Sequence, residues 1–171
     1  RFLRFQNILD AVNSPEYDRM PQFTLTRVMR DYKGFDINMI ADATLFKSPL
    51  SSRPSGWRTV LYPQISYPIQ KAGWFVTPKI GFHASAYNLD QNNGNATNLT
   101  RTVPIFSLDA GMIFEREATF FDRKMTQTLE PRMFYVRSPY RDQSLFPVFD
   151  TADLSFGFGK LFAANPFIGH D

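Results

Sequence analysis

Between Trp74 and Ala86 the chain sorts its residues by parity. Trp74, Val76, Ile80, Phe82, Ala84 and Ala86 fall on one side, and Thr77, Lys79, Gly81, His83 and Ser85 on the other. Side chains two apart share a face of a strand. One face is therefore apolar over a length close to the roughly 9–11 residues with which a tilted strand crosses a bilayer, and an aromatic residue opens it. The opposite face carries lysine and histidine. A strand of this kind suits hydrocarbon on one side and water on the other, which is the pattern of an outer-membrane barrel.

The pattern recurs. Phe35, Ile37, Met39, Ala41, Ala43 and Leu45 alternate with Asp36, Asn38, Ile40, Asp42 and Thr44, and Pro104, Phe106, Leu108, Ala110, Met112 and Phe114 alternate with Ile105, Ser107, Asp109, Gly111, Ile113 and Glu115. Weaker versions run from Trp57 to Ile69 and from Met125 to Arg137. Gln22 to Arg30 is ambiguous, because Arg27 shares a parity with Phe23, Leu25 and Met29. The apolar fraction is 43% and the mean hydropathy −0.28, so no apolar run is long enough for a spanning helix, whereas barrel strands escape hydropathy scales because half of each faces water. The 18 Phe are more than a soluble domain of this size needs. Trp74 and Tyr67 flank the Gln70 to Gly73 turn, where an interfacial aromatic girdle would sit.

Connection lengths give an independent test, since bacterial barrels alternate short periplasmic turns with longer outer loops. Tyr32 to Gly34 and Gln70 to Gly73 are short; Lys47 to Gly56 and Asn88 to Arg101 are long. Arg116 to Lys124 is read as an intermediate, charged connection, and the stretch from Ser138 onward as a surface loop. About six strands are clear, with additions at Arg1 to Ile8 and Asp153 to Phe162. The start at Arg1 and the ending Gly169-His170-Asp171 lead to the expectation of an excerpt from a larger barrel, with residues 1–171 forming part of one barrel domain and no second domain. Pro63, Pro68, Pro78, Pro104 and Pro131 fall inside the expected strands. Proline cannot donate to the ladder, so bulges or strand ends are expected there.

Four blocks carry a family resemblance: Tyr17-Asp18-Arg19-Met20-Pro21-Gln22; Arg101-Thr102-Val103-Pro104-Ile105-Phe106-Ser107-Leu108-Asp109-Ala110-Gly111; Gln127-Thr128-Leu129-Glu130-Pro131-Arg132; and Pro139-Tyr140-Arg141-Asp142-Gln143. In order and spacing they resemble the LptD family, the outer-membrane LPS-assembly proteins, from Tyr17 to Asp171. The resemblance implies a large barrel in the outer membrane of a Gram-negative bacterium. Its interior would hold an LptE-like plug lipoprotein, and it would receive lipopolysaccharide from a periplasmic bridge and release it through a lateral seam. The family's jellyroll domain, its structural cysteines and its seam strands are then expected outside this stretch, in which there is no cysteine.

Net charge is only +3, from 19 Lys+Arg against 16 Asp+Glu, which permits an anionic partner without demanding one. Lys79, His83, Asp109, Glu115, Glu130 and Arg132 are the expected lumen-facing polar residues; Trp74, Val76, Ile80, Phe82, Phe106 and Leu108 are the expected lipid-facing ones. Lys79 and Arg132 either attract phosphate on the lipopolysaccharide head group or pair with Asp109, Glu115 or Glu130. No basic run with interleaved stacking aromatics points to nucleic acid, no cofactor motif occurs, and no nucleophile elbow or His-Glu-x-x-His helix supports an enzyme. Asp109 and Glu130 as an acid/base pair are a weaker reading than solvated or salt-bridged carboxylates. The expected fold is all-β: an antiparallel transmembrane β-barrel segment of about six to eight meandering strands, with a porin-like or small barrel, or a soluble β-sandwich, as alternatives. Arg in place of Ala84 or Leu108 is expected to impair assembly into lipid vesicles far more than Arg in place of Ser85 or Ser107, because a midplane Arg on a lipid face costs about 2–4 kcal/mol.

Overall fold

The computed structural model describes residues 1–4, 16–92, 94–153, 155, 157–165 and 167–171. Its main sheet is an antiparallel meander. It is built from β1 (Asp18–Tyr32), β2 (Phe35–Lys47), β3 (Gly56–Ser66), a short β4 (Ile69–Lys71), β5 (Trp74–Leu89) and β6 (Asn98–Met112). The chain then leaves the sheet as a hairpin of β7 (Phe114–Phe120) and β8 (Arg123–Leu129), and returns as β9 (Arg132–Arg137) to pair with β6. Two-residue strands β10 (Ala152–Asp153) and β11 (Phe167–Ile168) pair with each other, and a 3-10 helix lies between them at Phe158–Phe162. The sheet is open, with β1 and β9 at its edges. No described helix is long and apolar enough to cross a membrane.

Pairing register makes the parity of one strand the parity of all. Met39 sits opposite Pro63, Ala41 opposite Leu61, Ile65 opposite Ile80 and Ile80 opposite Phe106, so the apolar rows of β2, β3, β5 and β6 share a face. Leu61, Ile65, Ile80, Phe82 and Phe106 are all exposed there. Aromatics mark both ends of this face: Trp57 at the end with the long connections, and Phe35, Tyr67 and Trp74 at the end with the short ones. Trp57 and Tyr67 are ten positions apart; at about 3.3 Å per residue and a tilt of about 45° they stand about 23 Å apart along the normal, close to the roughly 25 Å apolar band of outer-membrane barrels. Arg27 does share the apolar face, opposite Met39, and Arg137, opposite Phe106, joins it. Both cations belong to edge strands.

The connections alternate as expected, with one correction. Lys33 and Gly34 adopt φ of 54° and 87° between β1 and β2, the primed turn that suits the strand twist of a hairpin. Arg116 to Lys124 is not a loop: it belongs to the β7–β8 hairpin, closed by two residues between Phe120 and Arg123. The expected strand Met125 to Arg137 is split at Glu130-Pro131. Of the two added strands, Arg1 to Ile8 yields a single bridge between Leu3 and Arg19, with 5–8 outside the described residues; Asp153 to Phe162 contains the 3-10 helix instead.

The prolines interrupt pairing as their missing N–H requires, though not always by ending a strand. Pro68 and Pro131 lie in gaps between strands. Pro63 keeps its partner in β2, but Tyr62 and Pro63 drop out of the β3–β5 ladder, and Pro78 faces the gap between β3 and β4 while pairing with Leu108. Pro104 lies in the stretch of β6 that β9 does not reach, so its side without a donor is an edge.

Ser85 and Ser107, proposed above as tolerant positions, are 4% and 2% exposed, so added bulk is unwelcome there whatever the solvent. Leu25 and Thr26 make a sharper pair, being adjacent, on opposite faces and both exposed. In vesicle-folding titrations Leu25→Arg is expected to lose up to about 2–4 kcal/mol if its row meets hydrocarbon, and Thr26→Arg well under half of that.

Candidate functional site

The polar face is not bare. The segment after Ser138 leaves the sheet beside the middle of β6, reaches the long-connection end where Asn92 donates to the Leu145 carbonyl at 3.2 Å, and folds back over this face, a correction to its expected place as a surface loop. Phe149 stacks on Phe46 with ring centroids 4.4 Å apart and meets Tyr17 edge-on at 4.9 Å. Together with Tyr87, Leu89 and Leu99 they form the buried cluster of the described residues. At the opposite end Phe162 reaches the sheet: the Arg132 guanidinium lies 4.2 Å from its ring centroid, and Phe134 packs against it edge-on. The segment is thus a strap running from the long-connection end of the face to the short-turn end, and back to Asp171.

Arg58 fastens it. The side chain points from β3 to the polar face and is fully buried. One terminal nitrogen donates to Asp150 at 2.6 Å and to Asp171 at 2.5 Å, the other to the second Asp150 oxygen at 2.9 Å. Asp42 adds its charge at 3.9 Å, and its own oxygens accept from Gln22, Thr24 and Thr44 at 2.7–3.0 Å. Asp171 closes the loop on itself by accepting from the backbone N–H groups of Phe149, Asp150 and Thr151 at 2.7, 2.7 and 3.1 Å. Tyr87 donates to its other oxygen at 3.3 Å. Burial pushes the Asp150 carboxyl up, but the hydrogen bonds and charge of Arg58 outweigh it and hold the group below its usual range. One guanidinium thereby joins β3 to both ends of a segment some twenty residues long. Arg101 works alongside: it donates to Gln143 and covers the Phe146 ring at 5.4 Å.

The expected polar residues divide. Lys79, His83, Asp109 and Arg132 share the polar face, in register with Ser107, Val103, Thr77 and Gly111. Arg132 grips Asp109 through two bonds of 2.8 and 2.6 Å; the pair is half-exposed and worth at most about 1 kcal/mol. Lys79 takes part in no ion pair among the described residues. The His83 ring lies between those of Tyr62 and His170, at 5.4 and 6.4 Å. Glu115 belongs to the hairpin beyond the sheet and Glu130 to the break before β9, so neither joins Asp109, and an Asp109–Glu130 acid/base pair has no geometry to support it. Trp74, Val76, Ile80, Phe82, Phe106 and Leu108 all lie on the apolar face. Sequence reading passed over Arg58, Asp150 and Asp171. The available signal was an arginine at a polar-parity position of β3 between aromatic and β-branched neighbours, but its partners lie 92 and 113 residues away.

A meandering antiparallel sheet, apolar on one face and polar on the other, with alternating short and long connections, defines a class: the wall type from which β-barrels are closed. The comparisons narrow the class. The family model for LptD, described as LPS transport system D, matches residues 1–171. Proteins named LPS-assembly protein LptD from Cupriavidus necator and Cupriavidus metallidurans are 44% and 46% identical over 182 residues, covering 100% of this chain and 22% of their own length. That from Aromatoleum aromaticum is 45% identical over 157 residues, covering 91% of this chain and 20% of its own. The chain belongs to the LptD family and spans about a fifth of the length of these relatives.

Removing one member of a buried ion pair costs up to about 3–5 kcal/mol, and Asp150 supplies two of the three close bonds to Arg58, leaving only Asp171 and the more distant Asp42 when it is lost. Asp150→Asn is therefore expected to undock residues 149–171, read as faster amide exchange there while β2 and β3 keep their protection. Because the Asp150 value is lowered by folding, its contribution is present above the ordinary carboxylate value near ~3.9 and disappears as pH falls through the lower folded value. Amide exchange of the strap is thus expected to stay slow at pH 5 and to rise only in stronger acid, at about pH 4 and below.

Proposed function

We propose that this chain is part of the wall of one transmembrane β-barrel domain in the outer membrane of a Gram-negative bacterium, and that the barrel serves the insertion of lipopolysaccharide into the outer leaflet. The observation that carries the reading is the two-faced sheet in a chain matched end to end by the LptD family. The edges of β1 and β9 support the barrel, since unpaired backbone groups are untenable in hydrocarbon and require further strands.

The mechanism is geometric. The apolar face with its two aromatic margins seals the wall in membrane lipid. The polar face lines the lumen, where Lys79, His83, Asp109 and Arg132 offer a hydrated surface to the sugar and phosphate of a passing head group. The strap fastened by Arg58 narrows that lumen from within. An LptE-like lipoprotein is the partner for the remaining interior, and the periplasmic transport bridge delivers the lipid. No step calls for bond chemistry, and the proteins named above are assembly proteins by name.

Depletion of the protein in growing cells tests the reading. Lipopolysaccharide at the cell surface is expected to fall several-fold, as read by surface labelling of its glycan, before porin levels change. Unchanged display with lost ion conductance would identify a diffusion channel instead.

A further inference from the structure

The β7–β8 hairpin has two unlike faces. On one, Phe114, Arg116, Ala118 and Phe120 sit opposite Leu129, Gln127, Met125 and Arg123; on the other, Glu115, Glu117 and Thr119 sit opposite Thr128, Thr126 and Lys124. Both glutamates lie on the second face, and the apolar residues lie on the first with two arginines. Phe114, Phe120, Met125 and Leu129 are exposed, and Phe121 at the tip is 85% exposed. The seven-residue strands reach about 23 Å beyond the short-turn end of the sheet.

The pairing register of β6 and β9 runs into the hairpin without a shift, from Phe106 opposite Arg137 to Phe120 opposite Arg123. The apolar face of the hairpin therefore continues the face that holds Leu108, Met112 and Tyr135. Between the two the ladder lapses. Ile113 donates its N–H to Gly73 at 2.9 Å and Met112 to Pro131 at 3.0 Å, while Pro131 has no N–H to return. An apolar cleft of about 330 Å³ opens at this point, lined by Trp74, Val76, Met112, Pro131 and Met133 among others. A lapse of this kind lets the hairpin tilt relative to the wall. At its tip Phe121 and Asp122 take φ of 46° and 57°, where Asn-Gly is the ordinary choice. A phenyl ring is kept there against the backbone's preference, packed edge-on to Phe120 at 4.5 Å.

We propose that this face lies on the membrane leaflet at the short-turn side. Phe114, Phe120, Phe121, Met125 and Leu129 enter the acyl boundary, and Arg116 and Arg123 sit at anionic phospholipid phosphates. The inference rests on reading the sheet as a membrane wall and extends that contact beyond the wall. The charge pattern favours lipid over a protein partner: the strand residues of the embedded face carry two cations and no carboxylate, Asp122 being confined to the turn, and the face is continuous with the one read as turned to lipid.

The test uses the membrane-inserted full chain carrying a single nitroxide at Met125→Cys, Thr126→Cys, Leu108→Cys or Lys79→Cys, in vesicles of phosphatidylcholine with or without phosphatidylglycerol. Collisions with oxygen report lipid and collisions with a nickel chelate report water. The expected result is a label at position 125 that reads as lipid-exposed and one at 126 that reads as water-exposed. Arg116→Gln is expected to lower the population of hairpins whose label at 125 reads as lipid-exposed by about fivefold, and omitting phosphatidylglycerol, which removes the partner of both arginines, by more than that. Equal nickel access at 125 and 126, or a label at 125 shielded from both reagents as under a protein partner, overturns the inference. The labels at 108 and 79 separate the two levels. If 108 is lipid-exposed and 79 wet while 125 fails, only the hairpin contact falls; if nickel reaches 108, the wall reading falls with it.

Discussion

An antiparallel strand that slips by one residue turns every one of its side chains to the opposite face. Across β2, β3, β5 and β6 the register keeps Ala41, Leu61 and Ala84 on one side and Asp42, Val60 and Ser85 on the other, and each remaining feature of the chain follows from that sorting. The aromatic margins share a face because their strands do. The polar residues line up in rows that another segment can cover. Where one extra residue enters β1 between Arg19 and Gln22, Met20 and Pro21 together stand against the single Leu45, and the sorting resumes from Gln22 onward.

The second organising element is a guanidinium without water around it. A buried charge is tolerated only when its hydrogen bonds and counter-charges replace hydration, and Arg58 finds them in Asp150, Asp171 and Asp42. Such a cluster contributes little net stability compared with apolar packing of the same volume, but it is exacting about geometry. The aromatic stack of Phe46 and Phe149 supplies burial, and the ion pairs determine where along the face the segment comes to rest.

Fold class was legible in the sequence because period-two alternation is local: Trp74 to Ala86 announces its two faces without reference to any partner. The tight turns were legible for the same reason. What escaped reading depends on distance or on backbone conformation. Arg116 to Lys124 looks like a charged connection because its charges come in runs, Glu115-Arg116-Glu117 and Asp122-Arg123-Lys124, on a hairpin whose turn lacks the usual Asn-Gly signal. Glu115 and Glu130 share a parity or a neighbourhood with luminal candidates, yet lie beyond the sheet's end. The stretch after Ser138, rich in Pro, Gly and aromatics, reads as a loop; only the contacts of Arg58 and Arg132 make it a strap. The family resemblance reached further than the residues alone, since Glu130-Pro131-Arg132 and Tyr140-Arg141-Asp142-Gln143 carried no structural meaning until the break before β9 and the strap were in view.

The prolines of β3 and β5 have a mechanical consequence. Between these strands the ladder persists at Gln64, Ile65 and Ser66, lapses at Tyr62–Pro63 on one side, and on the other thins to a single bond, from the Tyr67 N–H to the Pro78 carbonyl at 3.1 Å, before β4 takes it up. Sheets resist shear in proportion to the bonds that cross them, so this junction is a crease in an otherwise stiff panel. A panel creased lengthwise between two adjacent staves can change its curvature without parting, widening or narrowing whatever it encloses while each stave stays whole.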